Sequence, residues 1–521
     1  MSTTKSGTAI GVYERCATDR DPYLRRGRDN SALTIPALLP PDGSNGHTKL
    51  RETWQSVCAY CVNSLANRLL LTLLPPTRKF FRHAPTPELE KELEESQAQG
   101  SNLTKSSIET ALSKVENIIR DFLESIGVRQ ATYEALRLLI VSGNALMLVD
   151  RPRIRVYSLD QYVVRRTPEG DLLEIVVREM VDTSELDEVT RKALQVNNPT
   201  NSTPPAQVPL FTHVFKKDDQ WVVEQSADTV MIPSRGAKYG ERKLPWIPLR
   251  WTRIDGENYG RSHCDDYRGD MAAIESLSRS IIRFAAAAAK VIFLVNPNGV
   301  TDVNRLSEAE EGEFVPGKDE DVTVKTLEKF ADFQIAESVL GKLITQLRYS
   351  FLTNSAIQRQ GERVTAEEIR YMAQELENTL GGVYSLLSVE FQLPLVEIAQ
   401  SKLQLSGEIP KLNGKDVKAV IVTGIDALGR SHEVARIQAL VQDIAERFGP
   451  EAIPRYIHAG EYVTRVASGL DIDIKNLVKT PEEQAAEANQ ARATQLTESL
   501  GGPAIKAATD VRLAANQGTA P

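Results

Sequence analysis

Cysteine is scarce, with Cys16, Cys58, Cys61 and Cys264 the four thiols among 521 residues. That is too few for a disulfide framework and suits a chain made in a reducing cytoplasm. The six histidines (His47, His83, His213, His263, His432 and His458) fall in neither HExxH nor HxH spacing. No GxSxG elbow or GxGxxG loop follows a strand, so zinc-protease, serine-hydrolase and dinucleotide-binding patterns are all missing. Long apolar runs are missing too: residues 69–74 and 284–289 fall far short of the ~20 that a membrane helix needs. The opening MSTTKSGTAIG has no basic-then-apolar signal order. Excess positive charge is also lacking. A formal net charge of −8 opposes tight, sequence-independent DNA binding, which gains affinity by neutralising phosphates, but it is compatible with loose or local contact.

Two short strings come near to chemical motifs. Gly312 to Asp319 has P-loop spacing through Gly317 and Lys318, but Asp319 stands where a Mg²⁺-ligating hydroxyl belongs, and the acidic run behind it would repel a triphosphate. An acidic surface turn is the expectation. Cys58 and Cys61 make one CxxC half-site without a second, inside an apolar helical pattern, and read as packing residues. The sequence therefore assigns no catalytic, cofactor-binding or metal residue, and the chain is expected not to be an enzyme.

What is present is a mainly helical α+β pattern. Residues 12–28, 54–74 and 108–125 are helical in periodicity. Short β-rich runs follow at 146–149, 155–157 and 162–166, and a Pro168-Glu169-Gly170-Asp171 turn returns the chain along 172–180. The polar, proline-rich stretch 197–209 reads as an exposed loop, and further strands lie at 211–216, 221–225 and 246–254. From 267 to 289 the period becomes helical, with Met271, Ile274, Leu277, Ile281, Phe284 and Ala288 on one face and five alanines from Ala285 to Ala289. A short strand at 291–295 leads into residues 299–329, which hold nine acidic and four basic residues and read as an exposed insertion. A second helix at 329–352 repeats Ile335, Val339, Leu343, Leu347 and Phe351 at i+4. After a polar loop, Thr365 and Glu368 form a capping box that restarts a long helix, with a kink expected at Gly381-Gly382. Helices at 431–447, 454–458 and 461–467 precede a tail from Pro481 with eleven alanines and no aromatic residue, expected to be partly disordered.

Several strings carry a family likeness: Val12-Tyr13-Glu14-Arg15, Leu74-Pro75, Val141 to Leu146 (VSGNAL), Ser158 to Val164 (SLDQYVV), Asp255 to Ser262 (DGENYGRS), Leu294 to Pro297, and Gly361 to Tyr371 (GERVTAEEIRY) followed by Thr379 to Ser385. With these the chain resembles the portal, or head-to-tail connector, proteins of short-tailed podovirus-type bacteriophages over residues 12 to about 430. The resemblance implies a portal fold: a wing (1–262), a first stem helix (263–290), a clip (291–328), a second stem helix (329–352), a tunnel loop (353–364), a long kinked wing helix and return (365–430), a crown (431–480) and the tail (481–521). It implies a closed ring, usually of twelve subunits, at one capsid vertex of the virion, assembled in the host cytoplasm and serving genome packaging, retention and ejection. The implied partners are further copies of the chain, major capsid and scaffolding proteins, the terminase large subunit, a tail adaptor, internal core proteins and double-stranded DNA in the channel. No cofactor is implied. Gln358, Arg359, Gln360 and Arg363 are the candidates for reaching DNA from the tunnel loop, and Glu308, Glu310 and Glu311 those for partner docking at the clip. The alternatives are another structural ring such as a tail adaptor, or a packaging enzyme.

Overall fold

The computed structural model describes residues 8–76, 79–89, 105–197, 206–288, 292–310, 313–325, 330–353, 382–412, 417–422 and 425–449, with shorter stretches to 466. Gln358, Arg359, Gln360, Arg363, Glu311 and the Thr365–Glu368 capping box all lie outside the described residues, as do Gly381, the first of the two glycines at the expected kink, and the tail from 481. Two compact units are present, 1–424 and 425–521.

In the first unit α1 (Ala9–Leu33) is capped by Thr8, whose hydroxyl accepts from the Gly11 amide at 3.3 Å. Helix α2 (Val57–Leu73) is apolar on most sides and buries Cys58, Cys61, Leu65, Leu69 and Leu73, as expected of a helix sunk in a core. It packs on α4 (Val128–Ser142), which in turn meets α3 (Lys105–Ser125). Helix α4 ends at Gly143, whose φ of 78° is the left-handed cap that glycine takes at least cost.

Thirteen strands are described: β1 (Phe81–Pro85), β2 (Asn144–Leu148), β3 (Arg155–Tyr157), β4 (Tyr162–Arg166), β5 (Leu172–Asp182), β6 (Gln207–Lys217), β7 (Gln220–Ala227), β8 (Val230–Met231), β9 (Ala237–Tyr239), β10 (Trp246–Arg250), β11 (Ile292–Val295), β12 (Val322–Lys325) and β13 (Val417–Ile421). Antiparallel β10-β2-β3 forms one sheet. A six-stranded sheet runs β4-β5-β6-β7-β8 with β9 also on β7, and β5 pairs with β6 from Glu174↔Phe215 to Asp182↔Gln207. The chain between β5 and β6 also holds an amphipathic helix at Glu188–Asn197. Its start is marked by Asp187, whose carboxylate accepts from the Thr190 amide at 3.3 Å, an N-terminal signal present in the sequence.

Beyond β10 come α5 (Arg268–Ala288), the β11–β12 hairpin and α6 (Phe330–Ser350). A later helical stretch runs from Gly382 to Leu387, through a π turn at Ser388–Gln392, into α7 (Leu393–Ser406) with Pro394 in its first turn. Within the described part the irregularity is this π turn. Strand β13 then returns to pair with β1, Phe81↔Ile421 through Pro85↔Val417. The second unit contains α8 (Ile425–Phe448) and a short helix at Ile453–Tyr456, joined through Phe448 and Tyr456, whose rings lie 6.5 Å apart.

Candidate functional site

The feature that differs from an ordinary core is the helix–hairpin–helix formed by α5, β11–β12 and α6. The two helices run side by side in opposite directions. Near the globule, the start of α5 meets the end of α6: Tyr267 lies 5.8 Å from Phe351, and both rings face His263. At the other end, Phe284 stacks on Phe333 at 5.3 Å.

The root of this pair is fixed by polar joints. Ser262 and Asp265 form a reciprocal capping box, and Asn30 of α1 donates to Asp265 at 2.8 Å and to Ser262 at 3.1 Å. His263, 6% exposed, lies between Trp251, Tyr267 and Phe351, with Nε2 3.1 Å from the Ser350 carbonyl at the end of α6. Burial lowers its pKa to about 4, partly opposed by that carbonyl, so the ring is neutral and its Nε2–H donates to Ser350. The buried Glu275 on α5 accepts from the Trp54 amide at 3.1 Å and is 3.6 Å from Arg51.

Farther out, the burial stops. Ile282, Ile335 and Val339 are 45%, 65% and 43% exposed, whereas Leu347 and Phe351 are fully buried. Drift of the i+4 stripe, about 40° per step of four residues, is not the cause, because no described side chain of α6 from Phe333 to Gln346 is buried. The helix is buried only at its end, by Leu347 and Phe351, and its outer part has left the core on every side.

The hairpin beyond is braced by one carboxylate. Asp321 accepts from the Val300 amide (2.9 Å), the Thr301 amide (3.2 Å) and the Thr301 hydroxyl (2.9 Å), and these contacts lower its pKa, the Thr301 hydroxyl most. The Thr301 hydroxyl accepts in turn from the Lys318 amide at 3.0 Å. Lys318 is thus followed by a 3₁₀ turn, Asp319–Asp321, and then by strand β12. A P-loop needs a helix N-terminus at that place, and this backbone supplies an acidic turn instead. Glu308 closes a short helix (Val303–Glu308), and both it and Glu310 are exposed.

Other chemistry-bearing residues are built into the core. Burial pushes the thiols of Cys58 and Cys61 up to about 12 and about 11, so they are protonated packing groups rather than thiolates. No group of three or more His, Cys, Asp or Glu among the described residues is placed to hold a metal ion. Glu174 is held down to about 2, chiefly by its bond to His213 and then by Arg165, whose Nε lies 2.6 Å away. Glu390, in the π turn, pairs with the buried Arg250 and faces Arg166, which burial and then Arg250 lower to about 10. No spacing rule singled out Glu174 or Glu390, since His213 and Arg250 lie 39 and 140 residues from them.

Comparison with known proteins finds relatives of the chain as a whole. A family model described as "Bacteriophage head to tail connecting protein" matches residues 6–477. The chain is 37% identical to the portal protein of Enterobacteria phage T3 over 92% of this chain and 89% of that one. It is 36% identical to the portal protein of Escherichia phage T7 over 91% and 89%. A solved structure titled "Neck of empty GTA particle computed with C6 symmetry" aligns over 78% of this chain and 90% of its own, with a TM-score of 0.38 at 10% identity.

Proposed function

The chain belongs to the bacteriophage head-to-tail connecting protein family, and from that premise we propose that it is one subunit of a portal ring through which double-stranded DNA is packaged, retained and ejected. The observation that carries the reading is the α5–α6 pair, secured at its root and carrying exposed Ile282, Ile335 and Val339 farther out. Further copies of the same pair would cover those side chains, because a cyclic interface presents two different faces of each subunit to its two neighbours. On this reading α5 and α6 are the stem, the β11–β12 hairpin is the clip, and residues 1–262 with the returning helix are the wing. The subunit performs no chemistry.

The segment between α6 and Gly382 would supply the tunnel loop, with Gln358, Arg359, Gln360 and Arg363 reaching phosphates. Glu308, Glu310 and Glu311 would face basic surfaces of the terminase or tail adaptor, and capsid, scaffolding and core proteins would meet the rest of the ring in the virion. Negative-stain images and light scattering of purified protein test the proposal. Closed rings with a central hole are expected, and Ile335→Glu with Val339→Glu should leave folded, smaller species. A chain that stays monomeric at every concentration refutes it.

A further inference from the structure

Resting on the reading that copies of this chain close into a ring, we propose that the far end of the β11–β12 hairpin carries both halves of an intersubunit joint. Phe314 of one copy, with Glu313 beside it, seats in a socket formed by Val300, Arg305, Pro316 and Lys318 of the next.

The projecting half is plain. Phe314 is 98% exposed, the most exposed large apolar side chain among the described residues. A phenyl ring held wholly in water is a poor endpoint for a folded chain, and isolated aromatics of this kind serve as anchors between proteins. Its backbone is prepared for display. The Glu310 amide donates to the Glu313 carboxylate at 3.1 Å and the Glu313 amide donates to the Glu310 carbonyl at 3.1 Å, closing a turn just before it. Pro316 follows Val315 and holds that residue to extended backbone.

The receiving half lies on the same hairpin end. A cavity of about 330 Å³ is lined by Val300, Asp302, Arg305, Pro316, Gly317 and Lys318. It is rigidly built: a Cβ on Gly299 would come 2.6 Å from the Asp321 carboxylate and one on Gly317 would come 2.8 Å from Thr301, so the two segments that wall the cavity are packed as closely as glycine permits. Asp302 is occupied with its own helix, accepting from the amides of Asn304 (3.0 Å) and Arg305 (3.5 Å). That leaves Arg305 and Lys318, both exposed and neither in an ion pair with a described residue, as the charges that a ligand would meet.

The occupant follows from complementarity. Arg305 and Lys318 are the two basic residues between 299 and 324, so an otherwise acidic hairpin has one cationic, partly apolar hollow. What matches it is an aromatic side chain with a carboxylate next to it, and Glu313-Phe314 is that pair. The Glu313 carboxylate keeps acceptor capacity after serving the Glu310 amide, since its two oxygens offer about four lone-pair sites. A projection and a hollow that both occur on one chain make a head-to-tail interface, the kind that generates rings when its rotation closes.

The test uses two chains that each carry one introduced cysteine, because all four native cysteines are buried and introduced thiols will be the reactive ones. Val315→Cys chains, which keep Phe314 in place, and Val300→Cys chains are co-expressed, purified as the full assembly and treated with a short bismaleimide, and products are separated under denaturing conditions. A covalent dimer containing one chain of each kind is expected, with at least tenfold less dimer from either variant alone. Rings of normal size that yield no mixed dimer overturn the joint and leave the ring reading standing. Unsubstituted protein that forms no rings at all overturns both.

Discussion

His263 makes the root of the helix pair sensitive to acid, and the size of the effect can be worked out. In the unfolded chain the imidazole titrates near 6.5, whereas in the folded protein burial holds it to about 4. Between those values the unfolded chain binds a proton that the folded one refuses, so stability rises with pH across the window. The contribution is complete above pH 6.5 and falls by about 3 kcal/mol, at about 1.4 kcal/mol per pH unit, as pH drops to 4. His263→Phe preserves the aromatic packing and removes the titration, but it leaves the Ser350 carbonyl without its 3.1 Å partner, at a cost of about 1–2 kcal/mol. The variant should therefore be the less stable protein at pH 7.5 and the more stable one near pH 4.5. Thermal unfolding of both proteins across this range, followed by intrinsic fluorescence with Trp251 5.4 Å from the ring, reads the difference, and carboxylate titrations common to both cancel. Curves that stay parallel from pH 7.5 to 4.5 would refute the reasoning.

Other perturbations test separate parts. Glu174, lowered to about 2, gives stability that is present above its ordinary 4.5 and lost as pH falls below it; Glu174→Gln should remove up to about 3 kcal/mol at neutral pH and flatten the acid limb, which acid titration by circular dichroism can check. Glu390→Gln strands Arg250, whose side chain is 2% exposed, and should cost about 3–5 kcal/mol in denaturant unfolding; a loss under about 1 kcal/mol would show that the π turn does not need the charge. Arg359→Ala with Arg363→Ala should leave rings intact yet release packaged DNA more readily, flattening the salt dependence of retention by about 0.9 for each phosphate no longer neutralised; full infectivity counts against it. Lys at positions 308, 310 and 311 in place of Glu should weaken capture of a basic docking partner in pull-downs, and unchanged capture would remove those residues from the interface.

Where periodicity and local turn chemistry decide structure, the sequence is readable. Helix α5 occupies 268–288 against an expected 267–289, and the β4–β5 hairpin turns at Pro168 to Asp171 as expected. What escapes is set by distance along the chain. Strand β13 is five residues whose partner lies more than 330 positions earlier, and β12 is four residues at the end of an acidic stretch, recognisable only once Asp321 ties it back to Val300 and Thr301. The i+4 stripe on α6 is visible in the sequence, but the point at which the helix leaves the core, at Leu347, is set by distant segments packed around its root and not by which residues are apolar. The polar candidates for reaching DNA lie outside the described residues, so they stand as part of the proposal.

Four of the strings that carry the family likeness, those at 12–15, 141–146, 158–164 and 255–262, are places where distant segments interlock. Tyr13 donates to the Asp160 carbonyl at 3.1 Å, Arg20 donates to the same carbonyl at 3.0 Å, and the Val164 amide donates to the Tyr259 hydroxyl at 3.0 Å. The side chain of Asn144 exchanges two 2.8 Å bonds with the backbone of Gly260. Gly260 is required there, because a Cβ would lie 2.9 Å from the Gly143 carbonyl. Three strings that look independent in the sequence, SLDQYVV, VSGNAL and DGENYGRS, thus meet just before α5 begins. Buried polar pairs of this kind tolerate little change, since losing one partner leaves the other unsatisfied at about 1–3 kcal/mol. They also set the direction in which α5 leaves the globule, and in the proposed ring that direction has to be the same in every copy for the assembly to close. The root of the helix pair is therefore stabilised within the chain, and its outer half carries the apolar side chains that neighbours would cover in the proposed ring.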